Sequence, residues 1–261
     1  MSVGDTSNIY YKKIKQLNLV HYAGEISYYS NAELRPAELE LLKQLPQGST
    51  ILDVGTGSGR FSINAAKLGF KVTGIDITPE AIAACKKRAR QEKLRNINFM
   101  VADITEKKLS VKYDYVFCPR FVINAIATDK HRRKAISNML EACKPGGKIF
   151  IESFNIMWLG QGIFTPILNL ARSFIRQMRL ITCQLFKKPY TGLFPGDITY
   201  PANKAKNASD GYAHLPTIFE IKSYLKHGET KSIYEITNIK KKDWLKSFRY
   251  SIWIIHELPR P

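Results

Sequence analysis

The sequence predicts an α/β fold built around a doubly wound, mostly parallel β-sheet. Between about residues 50 and 154, short apolar runs alternate with helical patterns, as in a series of βαβ units. A glycine-rich turn follows the first apolar run, and an aspartate stands at the end of each of the next two. Hydrophobic residues make up 44% of the 261 positions, which is enough for a substantial core without disulfide bonds.

Seven segments of the chain have the pattern of β-strands. Five of them alternate with predicted helices and form the parallel core, and the last two lie near the C-terminus. We therefore expect a sheet of seven strands, at residues 49–54, 71–76, 98–102, 113–118, 148–153, 232–238 and 249–256.

The predicted helices are bounded by residues that start and stop helices. Thr78 followed by Pro79 indicates a helix start, because Thr caps the first turn and Pro fits the first helical position. The Lys-Pro-Gly-Gly sequence at residues 144–147 indicates a helix end, since neither Pro nor Gly continues a helix. The predicted core helices are residues 60–68, 79–91 and 130–143, and further helices are predicted at 37–45 and 217–226.

The chain divides into three parts. Residues 1–47 are predicted to form a helical N-terminal cap, and residues 48–154 together with 215–261 form the core. Residues 155–214 are an insertion after the fifth strand, and we expect them to act as a lid over the substrate. The second half of the insertion, residues 189–209, is rich in Pro, Gly and Asn and is predicted to be a loop.

The first half of the insertion has apolar residues at helical spacing and a basic polar side. The apolar positions are Ile163, Ile167, Leu170, Phe174, Met178, Ile181 and Leu185, and the basic ones are Arg172, Arg176 and Arg179. Three interpretations stay open: a lid over the acceptor pocket, a helix lying on a membrane surface, and an extra helix packed on the core.

The charge and the cysteine pattern restrict the class of protein. Cys85, Cys118, Cys143 and Cys183 have no metal-binding spacing, so no metal site is predicted. Neither a signal peptide nor a membrane-spanning apolar run is recognisable, which favours a soluble, cytoplasmic protein. The net charge of +18 favours anionic partners such as RNA or an anionic membrane surface, although composition alone also produces lysine-rich surfaces.

The chemistry is carried by a glycine-rich turn between the first strand and the first core helix. It reads Asp53-Val54-Gly55-Thr56-Gly57-Ser58-Gly59. Glycine lets the backbone approach a ligand closely, and the helix N-terminus offers N–H groups to negatively charged oxygens. In a doubly wound sheet such a turn lies at the ligand crevice, where the strand order reverses.

Two aspartates are expected in the same crevice. Asp76 ends the second strand, where a carboxylate accepts hydrogen bonds from ribose hydroxyls. Asp103 follows the third strand, within reach of an adenine amino group. Because ligands bind outside the carboxyl ends of parallel strands, the glycine turn and both aspartates indicate one nucleotide site.

The motif differs from those of other nucleotide-binding proteins. The dinucleotide fingerprint G-x-G-x-x-G requires a glycine where this chain has Arg60, and no P-loop lysine is present. The glycine turn, Asp76, Asp103 and the turn at residues 144–147 resemble instead the seven-stranded, Rossmann-like class I S-adenosylmethionine-dependent methyltransferases. The resemblance covers about residues 48–154 and implies S-adenosyl-L-methionine as the cofactor.

The resemblance implies a role for each residue of the site. Asp53 would orient the glycine turn and the cofactor's amino group, the glycines would contact its methionine part, and Asp76 would hold the ribose. Adenine would lie against Ile77 and the segment around Asp103, and the segment from Pro119 would lie near the methyl group. The implied cofactor-binding residues are Asp53, Gly55, Thr56, Gly57, Gly59, Asp76, Ile77, Ala102, Asp103, Ile104 and Pro119.

The sequence is less specific about the residues that act on the methyl acceptor. The family frequently has His where this chain has Asn124, which weakens the case for a general base at that position. The catalytic candidates are Arg120, Asn124, Glu152 and His214, with Asn155 also facing the crevice and Tyr10, Tyr11, Tyr28 and Tyr29 available from an N-terminal lid.

The resemblance and the charge lead to three hypotheses about function. The first is an enzyme that methylates a small or medium-sized molecule at oxygen or nitrogen. The second is an RNA methyltransferase that uses the basic surface, based on the net charge of +18. The third is a non-catalytic subunit that binds the cofactor as a scaffold.

Overall fold

Most strands of the computed structural model belong to one sheet. In chain order the described strands are β1 (Thr50–Val54), β2 (Lys71–Asp76), β3 (Ile97–Val101), β4 (Tyr113–Cys118), β5 (Cys143–Phe154), β6 (Asp197–Tyr200), β7 (Gly211–His214), β8 (Glu229–Ile233) and β9 (Ser251–Glu257). All but β6 and β7 form the central sheet. The structure describes residues 3–29, 32–154, 165–186, 193, 195–200, 211–225, 229–233 and 251–260.

The strands of the central sheet follow the order β3-β2-β1-β4-β5-β9-β8. Strands β1 to β5 pair in parallel. Strand β9 pairs antiparallel with both β5 and β8, so among the described strands of this sheet it alone runs against the others. This arrangement confirms the predicted doubly wound, mostly parallel, seven-stranded sheet.

Successive side chains of the strands enter two separate cores, one on each face of the sheet. Leu52 and Val54 pack in one cluster with residues of the neighbouring strands. Ile51, Phe117 and Phe150 pack in the other. A parallel sheet covered by helices on both faces needs apolar side chains on both, which explains the continuous apolar runs in the sequence.

The helices lie close to their predicted positions. They are α1 (Val3–Tyr29), α2 (Pro36–Lys43), α3 (Arg60–Lys67), α4 (Pro79–Gln91), α5 (Val122–Ala125), α6 (Asp129–Ala142), α7 (Thr165–Leu185) and α8 (Ile218–Tyr224). The helices predicted at 37–45, 60–68, 79–91, 130–143 and 217–226 are all confirmed within two residues at each end. Helix α5 was not predicted, because four residues are too few to show a helical period. No helix in the described ranges is both long enough and apolar enough to cross a lipid bilayer.

Some element boundaries differ from the prediction. The segment 189–209, predicted to be a loop, contains β6, which pairs antiparallel with β7. A strand of four residues leaves little periodic signal, so a segment rich in Pro, Gly and Asn is interpreted as a loop. Strand β5 begins before its predicted start, with a shift of register between Tyr113 and Tyr115 of β4. Strand β8 ends at Ile233, and the rest of the predicted strand 232–238 lies outside the described residues.

The sheet order determines where a ligand site is expected. The order reverses at β1, whose neighbours are β2 on one side and β4 on the other. Connections to the two sides therefore diverge and leave a crevice at the carboxyl ends of β1 and β4. The glycine turn follows β1 directly and lies at this position.

Candidate cofactor site

A cavity of about 220 Å³ occupies the crevice at the carboxyl ends of β1 to β4. It is lined by residues of all four strand ends and by one face of α1. Of the residues that the sequence indicated for the cofactor, ten line this cavity: Asp53, Gly55, Thr56, Gly57, Asp76, Ile77, Ala102, Asp103, Ile104 and Pro119. The structure therefore brings nearly the whole predicted set together.

Close packing explains two of the three glycines of the turn, Gly55 and Gly59. Gly55 has φ +74°, and a Cβ at this position would lie 2.4 Å from Cγ2 of Val122. Gly59 is not among the residues that line the cavity. A Cβ there would lie 2.8 Å from Sγ of Cys85, so this glycine lets α3 approach α4. The turn thus combines a position beside the cavity with a position that serves helix packing.

Asp76 fixes the shape of the site with both carboxylate oxygens. Oδ2 accepts a hydrogen bond from the Gly57 N–H at 2.8 Å, and Oδ1 accepts one from the Thr78 N–H at 2.9 Å. Thr78 occupies the predicted N-cap position of α4, but its side chain makes no capping hydrogen bond to that helix. Burial raises the pKa of Asp76, although these backbone donors oppose the shift. Since each carboxylate oxygen accepts two hydrogen bonds, Asp76 retains capacity for hydroxyl donors.

Asp53 lies fully buried beside the cavity. Its Oδ2 accepts a hydrogen bond from Oγ of Ser62 at 2.6 Å, and Ser62 lies 2.9 Å from Oγ1 of Thr56. Among the described residues, the other oxygen, Oδ1, has no hydrogen-bond partner. Burial raises the pKa of Asp53 to about 6, although the hydrogen bond from Ser62 opposes the shift. A buried acceptor without a donor is costly, so this oxygen fits a ligand group that donates hydrogen bonds.

Asp103 is held by residues of α1. Nζ of Lys15 lies 2.5 Å from Oδ2, and the Tyr11 hydroxyl donates a hydrogen bond to the same oxygen at 3.0 Å. Thr105 donates two hydrogen bonds to Oδ1, from its N–H at 2.8 Å and from its hydroxyl at 2.7 Å. Burial alone would raise the pKa of Asp103, but Lys15 and Thr105 hold it below the ordinary value. These contacts fasten α1 over the third strand end.

Helix α1 contributes site residues that were not predicted, apart from Tyr11. They lie on one face of the helix, because positions 11, 15, 18, 22 and 26 follow each other at intervals of three or four. This spacing was the available signal, but nothing in the sequence shows which part of the protein the face covers. The cavity-lining residues of α1 are Tyr11, Lys15, Asn18, Tyr22 and Ile26. Tyr10 donates a hydrogen bond to Asp197, and the side chains of Tyr28 and Tyr29 lie outside the described part.

Of the catalytic candidates, Arg120 lines the cavity. It follows β4 with φ +54°, and the next residue, Phe121, has φ +63°. Two successive non-glycine residues in the left-handed region are unusual and store strain, a feature that is enriched at functional sites. The Arg120 N–H donates a hydrogen bond to Oε2 of Glu152 at 2.7 Å.

Glu152, Asn124 and His214 are buried and are not among the residues that line the cavity. Glu152 accepts a hydrogen bond from Nη1 of Arg35 at 2.7 Å. Nδ2 of Asn124 donates to the His214 carbonyl at 2.8 Å and to Oγ of Ser153 at 3.1 Å. Their catalytic roles remain predictions, and Asn155 lies outside the described residues.

The ring of His214 lies between two carboxylates. Nδ1 is 2.9 Å from Oδ1 of Asp197, and Nε2 is 3.0 Å from Oε1 of Glu220. Glu220 also accepts hydrogen bonds from Arg132 at 3.1 Å and from the Tyr224 hydroxyl at 2.6 Å. This cluster joins β6, β7 and α8, and its members are not among the residues that line the cavity.

Comparison with known proteins places the fold and the turn in one family. The family described as "Methyltransferase domain" matches residues 45–182, slightly more than half of the chain. A ubiquinone biosynthesis O-methyltransferase of Coxiella burnetii is 32% identical over 125 residues, which cover 47% of this chain and 51% of that protein. The human EEF1A lysine methyltransferase 2 is 25% identical over 153 residues, covering 56% and 65% of the two chains. The chain thus spans about half the length of the bacterial relative.

Solved structures share the same fold at low sequence identity. A methyltransferase of Methanosarcina mazei superimposes with a TM-score of 0.57 at 20% identity, covering 88% of this chain and all of that one. A methyltransferase of Clostridium acetobutylicum has a TM-score of 0.57 at 16% identity, covering 98% of both chains. Together with the glycine turn, the strand order and the family match, these findings show that the chain belongs to the class I S-adenosylmethionine-dependent methyltransferases.

Proposed function

We propose that this chain uses S-adenosyl-L-methionine to methylate an oxygen or nitrogen atom of a small or medium-sized molecule. The observation that carries the proposal is the cavity itself, in which aspartates at the ends of β1, β2 and β3 converge beneath α1. Such a site suits a ligand with hydroxyl and amino donors and a cationic centre.

The cofactor fits the residues present. Oδ1 of Asp53 is a buried acceptor without a donor among the described residues, which suits the amino group of the methionine part. Asp76 keeps acceptor capacity for the ribose hydroxyls after its bonds to Gly57 and Thr78. When bound, the cofactor would supply a methyl group on a sulfonium, which is a good methyl donor because a neutral thioether leaves.

The work of the protein is then mainly to position the acceptor. Near-attack alignment of two reactants removes about 7–11 kcal/mol of the barrier. Here Asp53 and Asp76 would fix the donor, while Tyr22 and Ile26 of α1, which line the cavity, would limit access of water. Arg120 lines the cavity directly after Pro119, where the family resemblance implies the methyl group, and we propose that it orients the acceptor.

The relatives support oxygen or nitrogen as the atom methylated. One is named as an O-methyltransferase of ubiquinone biosynthesis and another as a lysine methyltransferase. A protein lysine is therefore the second candidate acceptor. We favour a small molecule because α1 covers the cavity and is fastened to Asp103 through Tyr11 and Lys15, which restricts entry by a macromolecule.

The remaining alternatives have less support. None of the relatives named above is an RNA methyltransferase, so an RNA acceptor would rest on the net charge of +18 alone. A non-catalytic scaffold needs a binding site but no acceptor. The strained Arg120–Phe121 segment at the cavity is a feature that binding alone does not require.

The test is to incubate the protein with cell extract and methyl-labelled S-adenosylmethionine, then to separate small molecules, lipid, protein and RNA. We expect label in the small-molecule or lipid fraction, absent when the Asp76→Ala variant is used. Label confined to protein or to RNA would reject the small-molecule acceptor. Cofactor binding by calorimetry without transfer to any fraction would favour the scaffold.

A further inference from the structure

Helix α7 presents a large apolar face to solvent. Phe174 is 64% exposed and Leu185 is 75% exposed. Most members recur every three or four residues, and Leu168 and Ile175 stand next to that row, so all lie on one side of the helix. The apolar face of α7 consists of Ile167, Leu168, Leu170, Phe174, Ile175, Met178, Ile181 and Leu185, each more than a third exposed. The interpretation of α7 as a helix packed on the core is therefore wrong for these side chains, and none of them lines the cavity.

An exposed apolar surface of this extent requires an explanation. Soluble proteins rarely leave a large contiguous apolar patch in water, and such patches mark sites for proteins or membranes. The helix has 21 residues, so the patch extends over about 30 Å. It is a convex ridge along one helix, whereas a site for a small ligand is concave.

Positive charge flanks the apolar face. Arg172 and Arg179 are exposed and lie about two turns apart, so both stand on the same side of the helix. Arg176 lies between them on the same side and donates a hydrogen bond to the Asp197 carbonyl, which connects α7 to β6. Between residues 155 and 196 the sequence has five basic residues, including Lys187 and Lys188, and no Asp or Glu.

We propose that α7 binds flat on an anionic lipid surface, with its apolar face in the bilayer interface and its arginines at the headgroups. An amphipathic helix with a basic polar side has this chemistry, because apolar burial and attraction to anionic lipid act together. The net charge of the whole chain, +18, favours the same attraction. The proposal concerns α7 alone and does not depend on methyl transfer.

The charge of α7 also disfavours a second copy of the chain as the partner that binds its apolar face. A symmetric pairing of two α7 helices would bring the Arg172–Arg179 sides of both close to each other. The helix carries no acidic residue that could pair with them across such an interface. Like charges without partners disfavour that contact, whereas phosphate headgroups neutralise them.

The experiment is co-sedimentation of the full chain with vesicles of two compositions. One is pure phosphatidylcholine, and the other contains about a third of phosphatidylglycerol. We expect strong binding to the anionic vesicles and weak binding to the neutral ones. Raising NaCl from about 0.1 M to about 1 M should weaken the anionic binding, since salt screens the arginines.

Variants locate the contact. A double variant with Phe174→Ser and Ile175→Ser should bind anionic vesicles at least tenfold more weakly, because binding scales with buried apolar area. The matched control is Phe219→Ser on α8, which is 80% exposed and should bind as the wild type does. Arg172→Gln with Arg179→Gln should cost about fivefold for each charge, whereas Lys86→Gln with Lys87→Gln on exposed positions of α4 should cost less.

Three results would overturn the proposal. They are equal binding to both vesicle types, binding that the α7 variants leave unchanged, and absence of binding. Sedimentation velocity without lipid tests whether a second copy of the chain binds the apolar face instead. A dimer that dissociates in the Phe174→Ser variant would show that it does. Because the substituted side chains are exposed, the thermal unfolding temperature should stay close to that of the wild type, and that measurement shows that the variants fold.

Discussion

Asp76 accepts a hydrogen bond from the backbone N–H of Gly57 at 2.8 Å, which joins the end of β2 to the turn after β1. The same carboxylate is the proposed acceptor for the ribose hydroxyls. Asp76→Ala should therefore weaken binding of S-adenosylmethionine at least tenfold, since each hydrogen bond to a charged group contributes about 1.5–3 kcal/mol. Isothermal titration calorimetry measures this directly.

The control for that experiment is Glu80→Ala. Glu80 is an exposed acidic residue in the first turn of α4, close to Asp76 in sequence but not among the cavity-lining residues. Its substitution should leave the affinity within about twofold of the wild type. Equal affinities for Asp76→Ala and the wild type would remove Asp76 from the cofactor site.

The site was predictable where the signals are local. The glycine turn, Asp76 and Asp103 each stand directly after a strand, and strand ends meet at one edge of a parallel sheet. The contact between Lys15 and Asp103 was not predictable, because it depends on where a long helix docks. Buried ion pairs between residues distant in the sequence, such as Glu38 and Arg60, were not predictable either. Such contacts follow from tertiary packing, which leaves no periodic trace in one sequence.

Gly57 and Gly69 provide a matched pair of substitutions. Both have positive φ, +53° and +93°, and a Cβ at either position would meet no atom within 4 Å. Alanine should destabilise the fold by about 1–2 kcal/mol at both, because an L-residue is strained there. Only Gly57 lines the cavity. Gly57→Ala should therefore also weaken cofactor binding about tenfold or more (about 1.4 kcal/mol), while Gly69→Ala should not. Equal loss of affinity in the two variants would contradict this role for Gly57.

Asp53 should make cofactor binding depend on pH. Burial raises its pKa to about 6 in the free protein, and a bound cationic amino group would favour the charged carboxylate. Binding then releases a proton when the pH is below about 6. We expect the affinity to be constant above that pH and to fall, by up to about tenfold per pH unit, as the pH decreases below it.

Asp53→Asn should remove this decrease in affinity at low pH. Calorimetry should then no longer detect the proton that the wild type releases on binding below about pH 6. Asp114→Asn is the comparison, since Asp114 bonds to Thr50 at the opposite end of β1 and does not line the cavity. It should keep the wild-type pH dependence. A pH dependence that Asp53→Asn leaves intact would show that another group takes up the proton.

Glu38 anchors the segment before the core through a buried ion pair. Its two oxygens accept hydrogen bonds from Nη1 and Nη2 of Arg60 at 2.6 and 2.5 Å, and Arg35 lies 2.9 Å away. Burial would raise the pKa of Glu38, but the two guanidinium groups hold it below the ordinary value. Glu38→Gln leaves Arg60 buried without its countercharge, so it should lower the free energy of unfolding by about 3–5 kcal/mol.

Urea denaturation measures that loss, and Glu92→Gln is the matched control. Glu92 pairs with Lys67 at 2.5 Å and with Arg88 at 2.8 Å, but on a more exposed surface. Solvent screens this pair, so its substitution should cost at most about 1 kcal/mol. A similar loss for both variants would mean that burial of the Glu38 pair contributes nothing extra.

Glu220 should give the protein a specific sensitivity to acid. Burial would raise its pKa, but His214, Arg132 and Tyr224 lower it to about 2 from the ordinary 4.5. A carboxyl group with a lowered pKa stabilises the fold fully above its unfolded pKa and loses that contribution as the pH falls toward the folded pKa. The relevant window therefore extends from about pH 4.5 down to about pH 2, and the contribution lost across it is on the order of 2–3 kcal/mol.

The measurement is the free energy of unfolding as a function of pH for the wild type and for Glu220→Gln. At pH 7 the variant should be less stable, because Arg132 and His214 lose a charged partner. Between about pH 4.5 and pH 2 the two curves should converge, with slopes that differ by up to about 1.4 kcal/mol per pH unit. For Glu141→Gln, which removes an exposed partner of Lys108, the free energy of unfolding should depend on pH nearly as it does in the wild type. If the Glu220→Gln curve also stays parallel to the wild type through the window, folding does not lower the pKa of Glu220, which would contradict a stabilising charged contact with Arg132 and His214.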